Sequence, residues 1–108
     1  MVLVDVRTED EREISGIPDA ISKAKFEQYE DAYADKTIVT YCTIGYRSGI
    51  YAETLREKGL DARNLRGSIL SWVHEGRPVV DPEGAETRRV HIYGPEWNLL
   101  PEGYTAVW

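Results

Sequence analysis

Short apolar runs alternate along the chain with segments in which apolar residues recur every three or four positions. The short runs, many of them β-branched, predict strands, and the helical spacing predicts helices between them. The predicted strands are Val2–Val6, Ala20–Ser22, Thr37–Tyr41 and Ala62–Leu65. The predicted helices are a brief one after Thr8, Phe26–Tyr33, Arg47–Lys58 and Ile69–Glu75. Alternating strands and helices predict an α/β fold in which helices cover both faces of a mostly parallel central sheet.

Two of the predicted helices carry residues that favour helix ends. Thr8 is a predicted N-cap, and Glu11, three residues later, is its predicted capping-box partner. Gly59 suits the position after the helix Arg47–Lys58, and Leu60 suits the hydrophobic contact behind it. The three aromatic residues of the helix Phe26–Tyr33 are expected to share one face.

Residues 81–108 break the alternation and predict an extension packed on the core, residues 1–80, within one domain. Asp81–Gly84 is typical of a turn, and Val90–Tyr93 alternates like a strand. Because Trp97 and Trp108 are large and apolar, we expect the tail to pack onto the domain. The alternative is that these two tryptophans belong to a partner-binding surface.

Cys42, the only cysteine, stands between the predicted central strand and the helix after it. The short connection contains Gly45, and the first N–H groups of a helix have no partner within the helix. Such N–H groups and the helix dipole stabilise a negative charge and therefore lower the pKa of a thiol. Arg47 adds a fixed positive charge that can hold an anionic substrate. The pattern predicts a nucleophilic thiolate at the carboxyl end of the central strand.

Four motifs, in the order of that family, resemble those of the rhodanese-like sulfurtransferases. They are a strand with Asp-x-Arg at 2–7, a Gly-Ile-Pro segment at 16–21, the cysteine loop at 42–47 and a Gly, Trp and Gly-x-Pro-Val block at 65–80. Each motif alone is weak, but the four together are specific. The resemblance implies a rhodanese-like α/β fold over roughly residues 2–80.

The resemblance also implies a reaction. The Cys42 thiolate would attack a sulfane donor such as thiosulfate, carry a persulfide and pass the sulfur to cyanide or a thiol. Cys42 and Arg47 would be the catalytic residues, with no metal or organic cofactor. The residues expected to bind the substrate all lie in or beside the loop: Thr43, Ile44, Gly45, Tyr46 and Ser48. Tyr46 can line the pocket mouth and screen acceptors.

Asp5 and Arg7 match a family pair near the loop and are expected to support its geometry by hydrogen bonding. The alternative is that they serve only as a helix cap and a surface charge. The sequence departs from the family at Thr43, because many members that use thiosulfate have a basic residue directly after the cysteine. The missing cation weakens the case for thiosulfate as the natural donor.

The chain also departs from the family at one edge of the sheet, because the strand and helix that usually precede the Asp-x-Arg strand are missing. An uncovered edge invites aggregation, so we expect Val90–Tyr93 to occupy an edge beside Ala62–Leu65. The C-terminal extension would then supply an edge strand. The alternative is that the chain is truncated and the tail packs elsewhere.

Two other functions are compatible with the sequence. Cysteine phosphatases and arsenate reductases place a thiolate in an arginine-closed loop, but with five residues between Cys and Arg. Here four residues separate Cys42 from Arg47, a ring that suits a single sulfur atom better than a phosphate. The fold also serves as a non-enzymatic binding or regulatory module, although such members generally lose the cysteine.

The composition of the chain limits the kinds of partner that it is expected to bind. The 108-residue chain has a net charge of −6, which opposes binding to nucleic acid. Its apolar runs are far shorter than the ~20 residues of a membrane helix, and no secretory signal is visible. The two histidines, His74 and His91, lack the spacing of metal ligands. A single cysteine fits the cytoplasm or another reducing compartment, where thioredoxin or a sulfur-carrier protein can act as the acceptor.

Overall fold

Four parallel strands form the central sheet of the computed structural model, which describes all residues from Met1 to Trp108. The strands are β1 (Val2–Asp5), β2 (Ile21–Ser22), β3 (Ile38–Tyr41) and β4 (Ala62–Asn64). Their spatial order is β2-β1-β3-β4, so β3 is an inner strand that pairs along its length with β1. The four predicted strands and their parallel arrangement are confirmed.

Helices cover both faces of this sheet, as predicted. They are α1 (Glu9–Ile14), α2 (Lys23–Gln28), α3 (Tyr46–Glu57) and α4 (Ser68–His74). One core cluster joins the sheet to α2 and α3 through Phe26, Ala52 and Leu55. A second cluster joins it to α4 and the C-terminal segments. None of the helices has the length and apolar character that crossing a membrane requires.

The predicted helix ends are confirmed at α1 and α3. Thr8 Oγ1 accepts a hydrogen bond from the Glu11 N–H, and the Glu11 carboxylate accepts one from the Thr8 N–H. Gly59, one residue beyond the Lys58 cap of α3, has a φ of +89°, the left-handed conformation that glycine adopts readily. Local sequence signals therefore determine both boundaries.

The predicted helix Phe26–Tyr33 is wrong as one element. The α-helix ends at Gln28, and a 3₁₀ turn follows over Glu30–Tyr33. The rings of Phe26 and Tyr33 still stack, with centroids 5.8 Å apart. The chain leaves the α-helical path at Tyr29, so this residue does not share their face and its side chain is half exposed.

Residues 79–108 form two small sheets apart from the central one. Strands β5 (Val79–Val80) and β6 (Glu86–Thr87) make an antiparallel hairpin around the predicted turn at Asp81–Gly84. Strands β7 (Arg89–His91) and β8 (Thr105–Val107) pair in parallel. Between them lies a 3₁₀ turn over Pro95–Trp97.

The prediction that Val90–Tyr93 lies beside Ala62–Leu65 is therefore wrong. The tail folds back to supply β8 as the partner of β7, and no strand pairs with the outer edge of β4. Val90 and Ile92 alternate as predicted and are fully buried, and Val90 joins the cluster that contains Tyr41 and Ile69. The gain from burying this apolar face places β7 against the second core cluster instead of at the sheet edge.

The expected packing of the tail holds only for part of it. Leu100 and Tyr104 pack against the second core cluster. Trp97 and Trp108 remain 39% and 63% exposed, so their rings are only partly covered by the domain.

Candidate active site

Cys42 lies directly after β3 and is completely buried. Its Sγ accepts a hydrogen bond from the Gly45 N–H at 3.1 Å and one from the Ser48 hydroxyl at 3.3 Å. Gly45 has a φ of +109°, a left-handed conformation in which any other residue would be strained. The connection from β3 to α3 thus folds back on the sulfur and presents hydrogen-bond donors to it.

These donors determine the acidity of the thiol. Burial alone would raise the pKa of Cys42, but hydrogen bonds from the hydroxyl and the N–H of Ser48 and from the Gly45 N–H outweigh it. The net result is a lowered pKa. A thiol of this kind is a better nucleophile at neutral pH than a free cysteine, because more of it is ionised.

The beginning of α4 holds the backbone on the other side of the cysteine. The N–H groups of Ile69 and Leu70 donate to the carbonyl oxygens of Cys42 and Thr43, at 3.2 Å each. The Cys42 N–H donates to Ser68 Oγ at 3.1 Å. Helix N–H groups that would otherwise lack partners therefore fix the position of the loop.

Ser68 is a site residue that sequence reasoning missed. It has a φ of +50°, which is uncommon for a residue with a side chain, and its Oγ lies 4.0 Å from the Cys42 sulfur. Backbone strain of this kind occurs often at functional sites. The available signal was the small polar residue directly after Gly67, in the segment that the motif comparison singled out.

Asn64, at the end of β4, is the second missed residue. Its Nδ2 donates to the Gly45 carbonyl at 3.0 Å, and its Oδ1 accepts from the Ser48 hydroxyl at 2.6 Å. Asn64 thus contacts both residues that donate to the sulfur. No motif marks it, because the contact depends on the pairing of β3 with β4.

Arg47 closes the loop through an ion pair with Glu11 of α1. Nη1 and Nη2 of Arg47 donate to the two carboxylate oxygens at 2.8 and 2.9 Å. Although burial opposes ionisation of Glu11, the hydrogen bonds and charge of Arg47 lower its pKa to about 2. The same pair raises the pKa of Arg47, so both groups are charged at neutral pH.

Arg47 therefore has less freedom than the sequence suggested. Both of its terminal nitrogens are bonded to Glu11, and its guanidinium lies 5.1 Å from the centre of the Tyr93 ring. The Thr43 hydroxyl also donates to Glu11, at 3.2 Å. The role of Arg47 in orienting a donor anion stays a prediction.

The predicted substrate-binding residues divide by exposure. Thr43 and Ser48 are buried, with their side chains directed to Glu11 and Cys42 respectively. Ile44 and Gly45 are partly exposed. Tyr46 is 72% exposed and is the large apolar side chain that the loop presents to solvent.

Asp5 and Arg7 lie behind the loop and not within it. Arg7 donates to both Asp5 carboxylate oxygens, at 3.0 and 2.7 Å, and also to the Ser15 carbonyl. Asp5 accepts from the hydroxyl of Tyr41, the residue before Cys42, at 2.7 Å. The pair therefore acts on the strand end that carries the cysteine.

The family model described as Rhodanese-like domain matches residues 1–75, which include the whole loop and all of α4. The chain belongs to the rhodanese-like domain family. This match confirms the resemblance that the four motifs indicated, and it ends before β5, so the strands of the extension lie outside it.

Individual relatives agree with this membership. A protein named sulfurtransferase from Allochromatium vinosum is 35% identical over 88 residues, which are 78% of this rhodanese-like chain and 82% of the relative. The crystal structure of a rhodanese-related protein from Thermoplasma volcanium has a TM-score of 0.65 at 30% identity. That likeness covers 73% of this chain and 82% of the other. A tRNA sulfurtransferase from Desulfurococcus amylolyticus is 35% identical over 71 residues, 66% of this chain but only 14% of that protein.

Proposed function

We propose that this rhodanese-like domain is a sulfurtransferase that carries sulfur as a persulfide on Cys42. Relatives named sulfurtransferase support the general activity. The observation that carries the mechanism is the pair of hydrogen bonds from Gly45 and Ser48 to the Cys42 sulfur, at 3.1 and 3.3 Å. Donors placed around the sulfur stabilise negative charge there before a substrate arrives.

The proposed reaction has two half-reactions. In the first, the Cys42 thiolate attacks the outer sulfur of a sulfane donor, and the bond between that sulfur and the rest of the donor breaks. The leaving group departs with the electron pair, as sulfite if the donor is thiosulfate. In the second, a nucleophile takes the outer sulfur from the persulfide and Cys42 leaves as a thiolate. Such covalent catalysis gives ping-pong kinetics and requires no metal or organic cofactor.

The choice of donor follows from the charge of the loop. Thr43 follows the cysteine, and the loop's one cation, Arg47, is paired with Glu11. A doubly charged anion such as thiosulfate therefore finds little uncompensated positive charge in the loop itself. We expect thiosulfate to load Cys42 slowly, and mercaptopyruvate or polysulfide are the other candidate donors.

Cyanide, small thiols, thioredoxin and a sulfur-carrier protein are the candidate acceptors. A protein that works through a free thiolate suits the cytoplasm or another reducing compartment.

Intact-protein mass spectrometry tests the proposal. The wild type, incubated with each donor in turn, should gain the mass of one sulfur atom and lose it to cyanide as thiocyanate. Cys42→Ser should do neither, and Ser71→Ala, a change at an exposed serine of α4, should behave like the wild type. If no donor loads Cys42, the function is that of a binding module.

A cysteine phosphatase is the less favoured alternative. The loop has four residues between Cys42 and Arg47, one fewer than phosphatases use, and the guanidinium that would bind phosphate is bonded to Glu11. One structural neighbour, from Rhodopseudomonas palustris, is described as a possible tyrosine phosphatase, at 27% identity. Release of phosphate from an aryl phosphate, dependent on Cys42, would support this alternative.

A further inference from the structure

The Ser48 hydroxyl has one proton and three possible acceptors within reach, of which Ser68 Oγ, at 3.4 Å, already accepts from the Cys42 N–H. Asn64 Oδ1 lies 2.6 Å from Ser48 Oγ, and the Cys42 sulfur lies 3.3 Å from it. The orientation of the Asn64 amide is fixed because its Nδ2 donates to the Gly45 carbonyl at 3.0 Å. A reversed amide would place its oxygen against that carbonyl, so the oxygen faces Ser48.

We propose that Ser48 turns its single proton between Asn64 and Cys42, and that Asn64 is a positioning residue which favours the neutral thiol by competing for that proton. The shorter distance is the one to Asn64, so at rest the proton points there. Ser48 Oγ then has lone pairs free to accept the S–H of Cys42. The resting arrangement is a chain of two hydrogen bonds, from the thiol to Ser48 and from Ser48 to Asn64.

Ionisation reverses the direction of the first bond. The thiol proton leaves to water, the Ser48 hydroxyl turns its own proton to the sulfur, and the bond to Asn64 is lost. Deprotonation of Cys42 therefore costs one hydrogen bond to Asn64, a cost that would vanish if Asn64 had no acceptor.

The other neighbours of the sulfur do not compete in this way. The Gly45 N–H donates to the sulfur in either state, and the Ser68 hydroxyl donates to the Leu65 carbonyl at 3.2 Å. The charged side chain that acts on the sulfur is Arg47, which is itself paired with Glu11. Ser68 Oγ also lies 4.0 Å from the sulfur, but the Leu65 carbonyl is nearer. Ser48 is the closer of the two hydroxyls to the sulfur, and its other short contact is to the side chain of Asn64, which a substitution can remove.

The Ser48 hydroxyl also rotates during turnover, an inference that rests on the proposed function. When Cys42 carries a persulfide, the negative charge lies on the outer sulfur and Sγ is no longer an anion. The Ser48 proton then returns to Asn64. Each half-reaction would be accompanied by one rotation of this hydroxyl.

The test is a double-mutant cycle on the free thiol, with no sulfur donor present. The protein has a single cysteine, so the rate of alkylation by iodoacetamide at a series of pH values reports the thiolate fraction of Cys42 alone. Asn64→Ala should raise the alkylation rate below the titration midpoint about three- to tenfold, which is the effect of one neutral hydrogen bond. In the Ser48→Ala background the same change should give no increase.

Two further variants distinguish competition of Asn64 for the Ser48 proton from a purely structural effect of Asn64 on the loop. Asn64→Asp keeps an acceptor and adds negative charge, so it should lower the alkylation rate at the same pH. Asn98→Ala, a change at another exposed asparagine, should leave it unchanged. If Asn64→Ala changes the rate by the same factor with and without Ser48, Asn64 acts only through Gly45 and the proposal is wrong. Because no sulfur is transferred, this result is independent of whether the proposed sulfurtransferase activity is found.

Discussion

Glu11 and Arg47 are 36 positions apart in sequence and form a two-point ion pair across the thiol loop. The same carboxylate caps the first turn of α1 and accepts the Thr43 hydroxyl. One buried side chain therefore joins the beginning of α1, the residue after the cysteine and the first turn of α3. The pair sets the shape of the loop around Cys42.

Glu11→Gln should destabilise the protein. It keeps the size of the side chain but leaves Arg47 without a counter-charge, and an unpaired charge in a partly buried position is costly. Because Arg47 is 31% exposed, we expect a loss of about 2 kcal/mol in the free energy of unfolding, below the range for fully buried pairs. Urea denaturation at neutral pH measures it.

The matched control is Glu75→Gln, which removes the exposed pair between Glu75 and Arg77. Surface pairs contribute little, so this variant should lose less than about 0.5 kcal/mol. Equal losses in the two variants would show that the Glu11 pair has no special structural role.

The Glu11 pair also predicts a dependence of stability on pH. The pKa of Glu11 is about 2 in the folded protein, below its ordinary value of 4.5, because Arg47 stabilises the charged form against the cost of burial. A depressed carboxylate pKa gives stability that is fully present above pH 4.5 and is lost as the pH falls toward 2.

The difference in unfolding free energy between wild type and Glu11→Gln should therefore be constant from pH 7 to 5 and should shrink between about pH 4.5 and 2. Urea titrations at intervals of one pH unit would show this. If this difference stays constant down to pH 2, or grows, the ionisation of Glu11 does not cause the pH dependence of stability.

Tyr93 connects the C-terminal extension to the loop. Its ring lies 5.1 Å from the Arg47 guanidinium and packs edge-on against Trp97. Tyr93→Leu removes the cation–π contact and should lower the unfolding free energy by about 1 kcal/mol. Tyr93→Phe keeps the ring and should stay close to the wild type.

Trp108→Leu is the control for the Tyr93 variants, because Trp108 lies in the same extension and its ring is 63% exposed. Combining Tyr93→Leu with Glu11→Gln gives a second check, since both act on Arg47 and their losses should not add. If the losses of unfolding free energy add, Tyr93 does not act through Arg47.

The strands and the position of Cys42 at the end of β3 could be predicted because they depend on local patterns. Apolar β-branched runs marked β1 and β3, and the glycine and arginine after Cys42 marked the loop. The capping box of Thr8 and Glu11 was also visible, because its two residues are three positions apart. The same pattern gave no sign that the carboxylate of Glu11 also binds Arg47.

What the sequence did not determine is which distant segments meet. The alternation of Val90 and Ile92 predicted a strand with one buried face, but not its partner. That partner, β8, lies in a tail whose composition suggested only packing. Asn64 and Ser68 were missed for the same reason, since they reach the loop that holds Cys42 only once β4 and α4 lie beside it.

Tyr46 is expected to select among acceptors, because it is 72% exposed and belongs to the loop that holds Cys42. A large exposed ring in this loop would contact a bulky acceptor and leave a small one unaffected. Once Cys42 has been loaded with sulfur, Tyr46→Ala should change the rate of transfer to a large thiol severalfold and leave the rate to cyanide nearly constant. Tyr29→Ala, a change at a tyrosine that is 50% exposed after α2, is the control. If Tyr46→Ala leaves the rates of all acceptors unchanged, the ring has no part in their selection.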